Sequence, residues 1–261
     1  MYLPEIRTVN VTRYVTPLRE GGSLPAIVEA DDGFLYVLKF RGAGQGAKAL
    51  IAELIGGEVA RALGLKMPEL VFAYLDDSFS KTEPDEEIQD LLKASTGLNL
   101  GVHYLSGSIT YDPIVKTIDA TLAAKIVLMD YVLTNVDRTV RNTNMLVWHQ
   151  ELWLIDHGAC LYFHHNWDTW EMQAHKPFSL IQNHVLFRPS MDFRSAIAEL
   201  RQKLTPDVIK GIVDLIPEAW LMTAAEGDAE LEQQRSVYQR FIDTRVSMLD
   251  FFVKLLTPAD E

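Results

Sequence analysis

The chain has 261 residues, 48% hydrophobic and 10% aromatic, enough for a full core in one large domain or two packed lobes and unlike a disordered segment. A formal net charge of -12 and a pI near 5.0 set its surface against broad contact with nucleic acid or anionic lipid. One cysteine, Cys160, allows no internal disulfide, no apolar run approaches a membrane span, and the first residues lack the apolar centre of a signal peptide. A cytoplasmic protein with no nucleic-acid or membrane partner is the expectation.

In chain order, the first informative segment is Arg19-Glu20-Gly21-Gly22-Ser23, a glycine-bearing turn suited to lie over phosphates. Residues 26–30 and 34–40 read as a β-hairpin turned through Asp31-Asp32-Gly33. Alternation in Tyr36-Val37-Leu38-Lys39-Phe40 sets Lys39 on the face opposite Leu38 and Phe40. By itself such a lysine is an edge-strand charge that discourages aggregation. Gly42-Ala43-Gly44-Gln45-Gly46 invites a dinucleotide reading, but its spacing is G-x-G-x-G and no acidic ribose partner follows, so it reads as a connector.

Residues 47–63 form the next predicted helix, with Leu50, Ile51, Leu54, Ile55, Val59 and Leu63 as its apolar stripe and Gly64 as its stop. Glu58 falls near the middle of that stripe and Glu53 on the opposite face; spacing does not decide which would position Lys39. Predicted strands at 70–75 and 99–105 flank an acidic stretch, 76–87, and a short helix at 86–94. Beyond Ser106-Gly107-Ser108 the chain turns helical: 118–133 is strongly apolar, and 193–203, 206–215 and 229–256 read as surface helices. Two short strands, 145–148 and 152–155, follow the loop at 137–144. The boundary between halves is expected within 106–113, with a β-rich lobe over 1–105 and a helical lobe over 106–261.

The chemistry concentrates in 135–158. Asp137 is followed by Asn142 five residues later, and Leu154-Ile155-Asp156-His157-Gly158 ends an apolar strand in a second carboxylate. Phosphoryl transfer from ATP needs this set: one Asp to orient or deprotonate an acceptor hydroxyl, and an amide oxygen with a second carboxylate to hold Mg2+ against the triphosphate. A lone loop Asp would be unremarkable, but this one follows a long apolar helix, precedes Arg138 and is paired at fixed spacing with Asn142. Asn144 is a second amide that could compete for the metal. With this motif present, Lys39 reads as a phosphate ligand. The histidines do not form a metal motif, since His164 and His165 would point apart on a strand. His157 is expected to contact substrate or phosphate and the remainder to lie in loops. The stripe Tyr238, Phe241, Ile242, Leu249, Phe252, Val253 and Leu256 is expected to pack on its own lobe.

Taken together, Tyr36-Val37-Leu38-Lys39-Phe40, Ala52-Glu53, the segment Ala60-Arg61-Ala62-Leu63-Gly64-Leu65-Lys66-Met67-Pro68, Asn135-Val136-Asp137-Arg138-Thr139 with Asn142, and Leu154-Ile155-Asp156-His157-Gly158 resemble the HipA-like kinases, within the phosphatidylinositol-kinase-like branch of the protein kinase superfamily. The resemblance implies an α+β, bilobal, protein-kinase-like fold and an ATP- and Mg-dependent phosphotransferase acting on a protein or small-molecule hydroxyl. It favours Glu53 as the helix carboxylate, assigns Asp137 as base and Asn142 and Asp156 as magnesium ligands, and runs the strand through His103 and Tyr104 into an adenine-contacting hinge. Thr139 stands where many relatives have His, and His157 where protein kinases have Phe. The alternatives are a nucleotide-binding pseudokinase that controls a partner, or adenylyl transfer from the same pocket.

Overall fold

The computed structural model describes residues 2–18, 24–221 and 228–256. The first strand, β1 (Thr8–Pro17), buries Val9 and Val11 and pairs antiparallel with β2 (Ala26–Ala30). β2 and β3 (Leu35–Lys39) form the expected hairpin, whose turn requires the left-handed backbone of Gly33 at φ +80°. Helix α1 (Ala47–Ala62) and β4 (Leu70–Leu75) follow. The acidic stretch then holds a short helix that its composition does not announce, α2 (Ser78–Thr82), before α3 (Glu86–Ala94), whose Asp85 carboxylate accepts the Glu87 and Ile88 amides at its first turn. β5 (Gly97–His103) completes a closed five-stranded barrel ordered β1-β2-β3-β5-β4. Closure depends on a parallel pairing of β1 with β4.

Each barrel strand alternates, and the two faces serve different cores. Tyr36 and Leu38 point inward to pack with Val28, Val71 and Ala73. Val37, Leu100 and Val102 point outward onto α1 and the second half of the chain. α1 is consequently buried on nearly every side, not on one stripe: Glu53, Gly56, Gly57 and Glu58 are as enclosed as Leu54 and Ile55. Close approach explains its glycine pair. A Cβ on Gly56 would lie 2.5 Å from the His157 Cβ, and one on Gly57 2.7 Å from the Leu70 Cδ1.

After the barrel, β6 (Ile109–Thr110), β7 (Met145–Trp148) and β8 (Glu151–Leu154) form a small antiparallel sheet. Between β6 and β7 runs α4 (Ala120–Leu133), started by the Asp119 carboxylate and ended by Thr134 in the left-handed region, φ 52°. Its buried run from Ala123 to Leu133 is the spine of the larger, helical lobe. Short 3-10 turns and α5 (Trp170–His175) lead into α6 (Arg194–Lys203), α7 (Pro206–Asp214), α8 (Asp228–Ser247) and α9 (Leu249–Leu256). The last predicted helix is therefore two, broken at Met248. Its stripe packs on its own lobe as expected, with Tyr238, Phe241, Ile242, Arg245, Leu249 and Phe252 buried, while Glu232, Ser236, Arg240 and Lys254 face solvent. The protein is thus bilobal, with a small β-rich lobe ahead of a larger helical one. Among the described residues no helix is long and apolar enough to cross a membrane.

Candidate functional site

Lys39 ends β3 on the face turned toward α1, because Leu38 on the other side of the pleat is committed to the barrel. Its ammonium lies 2.9 Å from Asp156 Oδ1 and 3.9 Å from Glu53 Oε2. Burial works against the charge, but the two carboxylates outweigh it and hold the lysine above its ordinary range. One cation shared by two carboxylates cannot satisfy both. For Glu53, burial exceeds the pull of Lys39 and pushes the carboxyl up to about 7. Asp156 is partly withdrawn from water, yet the adjacent Lys39 holds it below the usual carboxylate range.

Glu53 is fixed from the other side by the His157 backbone N–H, 2.8 Å from its Oε2, while its Oε1 is buried without a hydrogen-bond partner. Glu58 belongs elsewhere: its carboxylate accepts from the Tyr2 hydroxyl and lies 3.3 Å from Arg61. The structure therefore brings Glu53, not Glu58, to Lys39.

Asp156 sits just after β8 with φ 54°, a left-handed conformation that Asp tolerates better than most residues and that turns its carboxylate out of the strand. The adjoining loop holds Asp137. Its Oδ2 accepts from Asn142 Nδ2 at 2.7 Å and from Asn144 Nδ2 at 3.1 Å, and its own amide donates to Asn135 Oδ1 at 3.1 Å. Asn144 connects the two clusters, since its carbonyl accepts the Ile155 N–H at 3.0 Å beside Asp156. Thr139 ties the loop: its N–H reaches the carbonyls of Asp137 and Asn142, each at 2.9 Å, and its hydroxyl accepts from the Asn142 N–H.

Beneath this loop lies a group that spacing did not reveal. Asp130, on α4, accepts from Arg138 Nε at 2.6 Å, from Asn135 Nδ2 at 2.9 Å and pairs with His184 Nε2 at 3.0 Å. Arg138 also donates to the carbonyls of Asn144 and Ile155, so this buried guanidinium supports both the Asp137 loop and the entry to Asp156. Its signal in the sequence was an Asp inside the apolar run Ile126–Leu133 of that helix.

Two expectations about histidine are corrected. The His157 ring is fully buried against Gly56, neither nitrogen has a partner, and burial pushes its pKa down to about 3. It does not reach solvent; it fills space as a neutral ring. His164 and His184 are core residues too. His103 and Tyr104 continue β5, with their amides given to Glu69 and Leu35. The His103 ring packs on Phe34 and Tyr36, on the sheet face opposite Lys39. Gly21, Gly22 and Ser23 lie outside the described residues.

The family model of the HipA-like kinases matches residues 11–252. The chain belongs to the HipA-like kinase family. Its structure is similar to that of the Helicobacter pylori proinflammatory kinase CtkA, with a TM-score of 0.59, 13% identity, and 97% of this chain and 99% of that one covered. At that identity the likeness shows the fold. A Golgi casein kinase aligns at a TM-score of 0.42 with 10% identity over 95% of this chain and 73% of that one. No curated protein gives a significant match.

Proposed function

We propose that this protein transfers a phosphoryl group from magnesium-ATP to a hydroxyl of a protein or small molecule. The observation that carries the reading is the Lys39 ammonium held between carboxylates from α1 and from the turn after β8, beside a loop that presents Asp137. The donor set suits a hard cation. Asn142 gives its NH2 to Asp137, which directs its amide oxygen elsewhere, and Asp156 contributes a partly exposed carboxylate. Magnesium is usually bound by one or two such oxygens together with phosphates and water. Among the described residues no three His, Cys, Asp or Glu side chains are grouped to hold a metal. Asp156 and Asn142 would hold the ion, which when bound offsets charge on the phosphates.

Lys39 would meet the α- and β-phosphates, positioned by Glu53; the His103 ring, turned to the opposite sheet face, has no part in that contact. Asp137 is aimed by two amides acting on one oxygen, so its other oxygen is available to orient the acceptor hydroxyl and take up its proton. Asp137, Asn142 and Asp156 are all present, which favours an active enzyme over a silent nucleotide binder.

Asp137→Ala tests the division of labour. Magnesium-ATP should still raise the melting temperature of the variant, while transfer to acceptor falls ~100- to 10,000-fold. Unchanged turnover would remove Asp137 from the chemistry.

A further inference from the structure

The chain that leaves Asp156 comes back to the Asp137 loop at His184. Thr139 and His184 form an antiparallel bridge, and the Val185 N–H donates to the Arg138 carbonyl at 3.1 Å. The His184 ring is buried there and uses both nitrogens. Nδ1 lies 3.0 Å from the Leu186 backbone nitrogen, which can only donate, so Nδ1 accepts. The ring proton therefore sits on Nε2, 3.0 Å from Asp130 Oδ2. Burial favours the neutral ring. Arg138 already balances the charge of Asp130, so what His184 adds is direction.

Direction matters because of how Asp130 and Arg138 meet. A guanidinium and a carboxylate left to themselves pair fork to fork, through two parallel bonds. Here Arg138 Nε and His184 Nε2 share Oδ2, and Asn135 Nδ2 takes Oδ1 at 2.9 Å. Arg138 Nη2, the donor that a fork would use, is buried without a hydrogen-bond partner. An orphaned buried donor is costly, so the pair is held away from its own preferred geometry. The return is at the far end of the guanidinium, where Nη1 reaches the carbonyls of Asn144 and Ile155. Asn144 in turn donates to Asp137 Oδ2 at 3.1 Å, and Ile155 leads into Asp156. Asn135 makes a second route, since its Oδ1 accepts the Asp137 N–H at 3.1 Å. The guanidinium is planar and rigid, so turning it to satisfy Nη2 at Asp130 draws Nη1 off both carbonyls.

We infer that His184 is a positioning residue for phosphoryl transfer: by keeping Asp130 in this one-sided grip on Arg138, it ties the geometry of Asp137 and Asp156 to docking of the chain around residue 184. The inference rests on the phosphotransferase reading above, and its test separates the two.

Two substitutions in the full chain divide the two bonds of the ring. His184→Asn puts an oxygen near the place of Nδ1, able to accept the Leu186 N–H two residues on, and falls short of Asp130. His184→Gln puts an amide donor near the place of Nε2, within reach of Asp130. Amide hydrogen exchange without nucleotide reads the loops directly. Turnover is read with magnesium-ATP as phosphate release and as labelling of dephosphorylated casein, a generic hydroxyl-bearing acceptor. In His184→Asn, exchange over 137–144 and 154–158 should quicken ~10-fold while 26–40 is unchanged. Its turnover at saturating ATP should fall ~10-fold or more, with little change in melting temperature. His184→Gln should stay within about threefold of wild type in both readings.

Unchanged exchange and turnover in His184→Asn would overturn the inference. So would the reverse order, His184→Gln impaired and His184→Asn intact, which makes the ring a local brace for residues 184–186. Equal losses in both variants that track their melting temperatures make it packing alone, and likewise overturn it. A wild type that neither gains stability from magnesium-ATP nor turns it over overturns the phosphotransferase reading and the catalytic role with it. The exchange difference between the two variants would then stand as a coupling of loops only.

Discussion

Asp130 and Asp156 each meet a cationic side chain at hydrogen-bond distance, 2.6 Å to Arg138 and 2.9 Å to Lys39, yet the two pairs are built for opposite ends. Asp130 and Arg138 are both fully buried. Their charges match one for one, and Asn135 and His184 supply further contacts to the carboxylate. Burial opposes ionisation there, but Arg138 and His184 hold Asp130 far below its ordinary range. At Asp156 the carboxylate side chain is 44% exposed, and Lys39 is shared with Glu53, so cation and carboxylates do not match one for one. A matched buried pair is architecture; an unmatched, partly open cluster has capacity for a ligand cation and its counter-charges.

The comparison breaks first if both cations are removed in the same way. Arg138→Met strands Asp130 in the core and should cost about 3–5 kcal/mol of stability, seen as a large fall in denaturation midpoint, with loss of activity as a consequence of loop collapse. Lys39→Met should lower stability by only ~1 kcal/mol, because Glu53 can take a proton and Asp156 reaches water, while transfer falls ~100- to 1,000-fold. Equal stability losses in the two variants would erase the distinction drawn between the pairs.

A smaller effect concerns His157. Replacing it by Phe removes two buried, unpartnered nitrogens and should stabilise the fold by ~1 kcal/mol in chemical denaturation, with nucleotide binding retained. Destabilisation would show that the ring has a polar role.

The last effect is a slope. His157 and His164 stand near 3 in the folded protein against an ordinary 6.5, so the unfolded chain binds more protons between those values and stability falls as pH drops below about 6.5. Glu53, raised from 4.5 to about 7, acts oppositely between those limits, since its folded form holds the proton. Each group contributes at most ~1.4 kcal/mol per pH unit. The acid limb should therefore steepen below pH 4.5, where Glu53 no longer offsets the histidines, and be shallower in His157→Phe. Identical limbs in the two proteins would contradict the assignment of His157 as a buried neutral ring.

How much of this could be read along the chain followed the range of the interactions. The β2–β3 hairpin, β4, α3 and the paired strands β7 and β8 carry local signals, periodicity and turn residues, and they were legible almost to the residue. Closure of the barrel by β1 against β4 was not, because a parallel pairing across some sixty residues leaves no local pattern. The spacing of Asp137, Asn142 and Asp156 was visible, whereas Asp130 with His184 joins positions 54 residues apart. A helical wheel could not separate Glu53 from Glu58 because α1 is covered from both lobes, so neither face is a solvent face. His157 misled for the related reason that burial had made a polar residue into packing material.

The most direct test is a thermal shift of the wild-type chain with ATP, with and without magnesium, beside Asp156→Asn. Ligand that binds only the folded state raises apparent stability by mass action. The account predicts a magnesium-dependent rise in wild type that is lost in a variant whose melting temperature without nucleotide is nearly unchanged. A rise of equal size in Asp156→Asn, or none in wild type with any nucleotide, would contradict the claim that the open cluster around Lys39 holds magnesium-ATP.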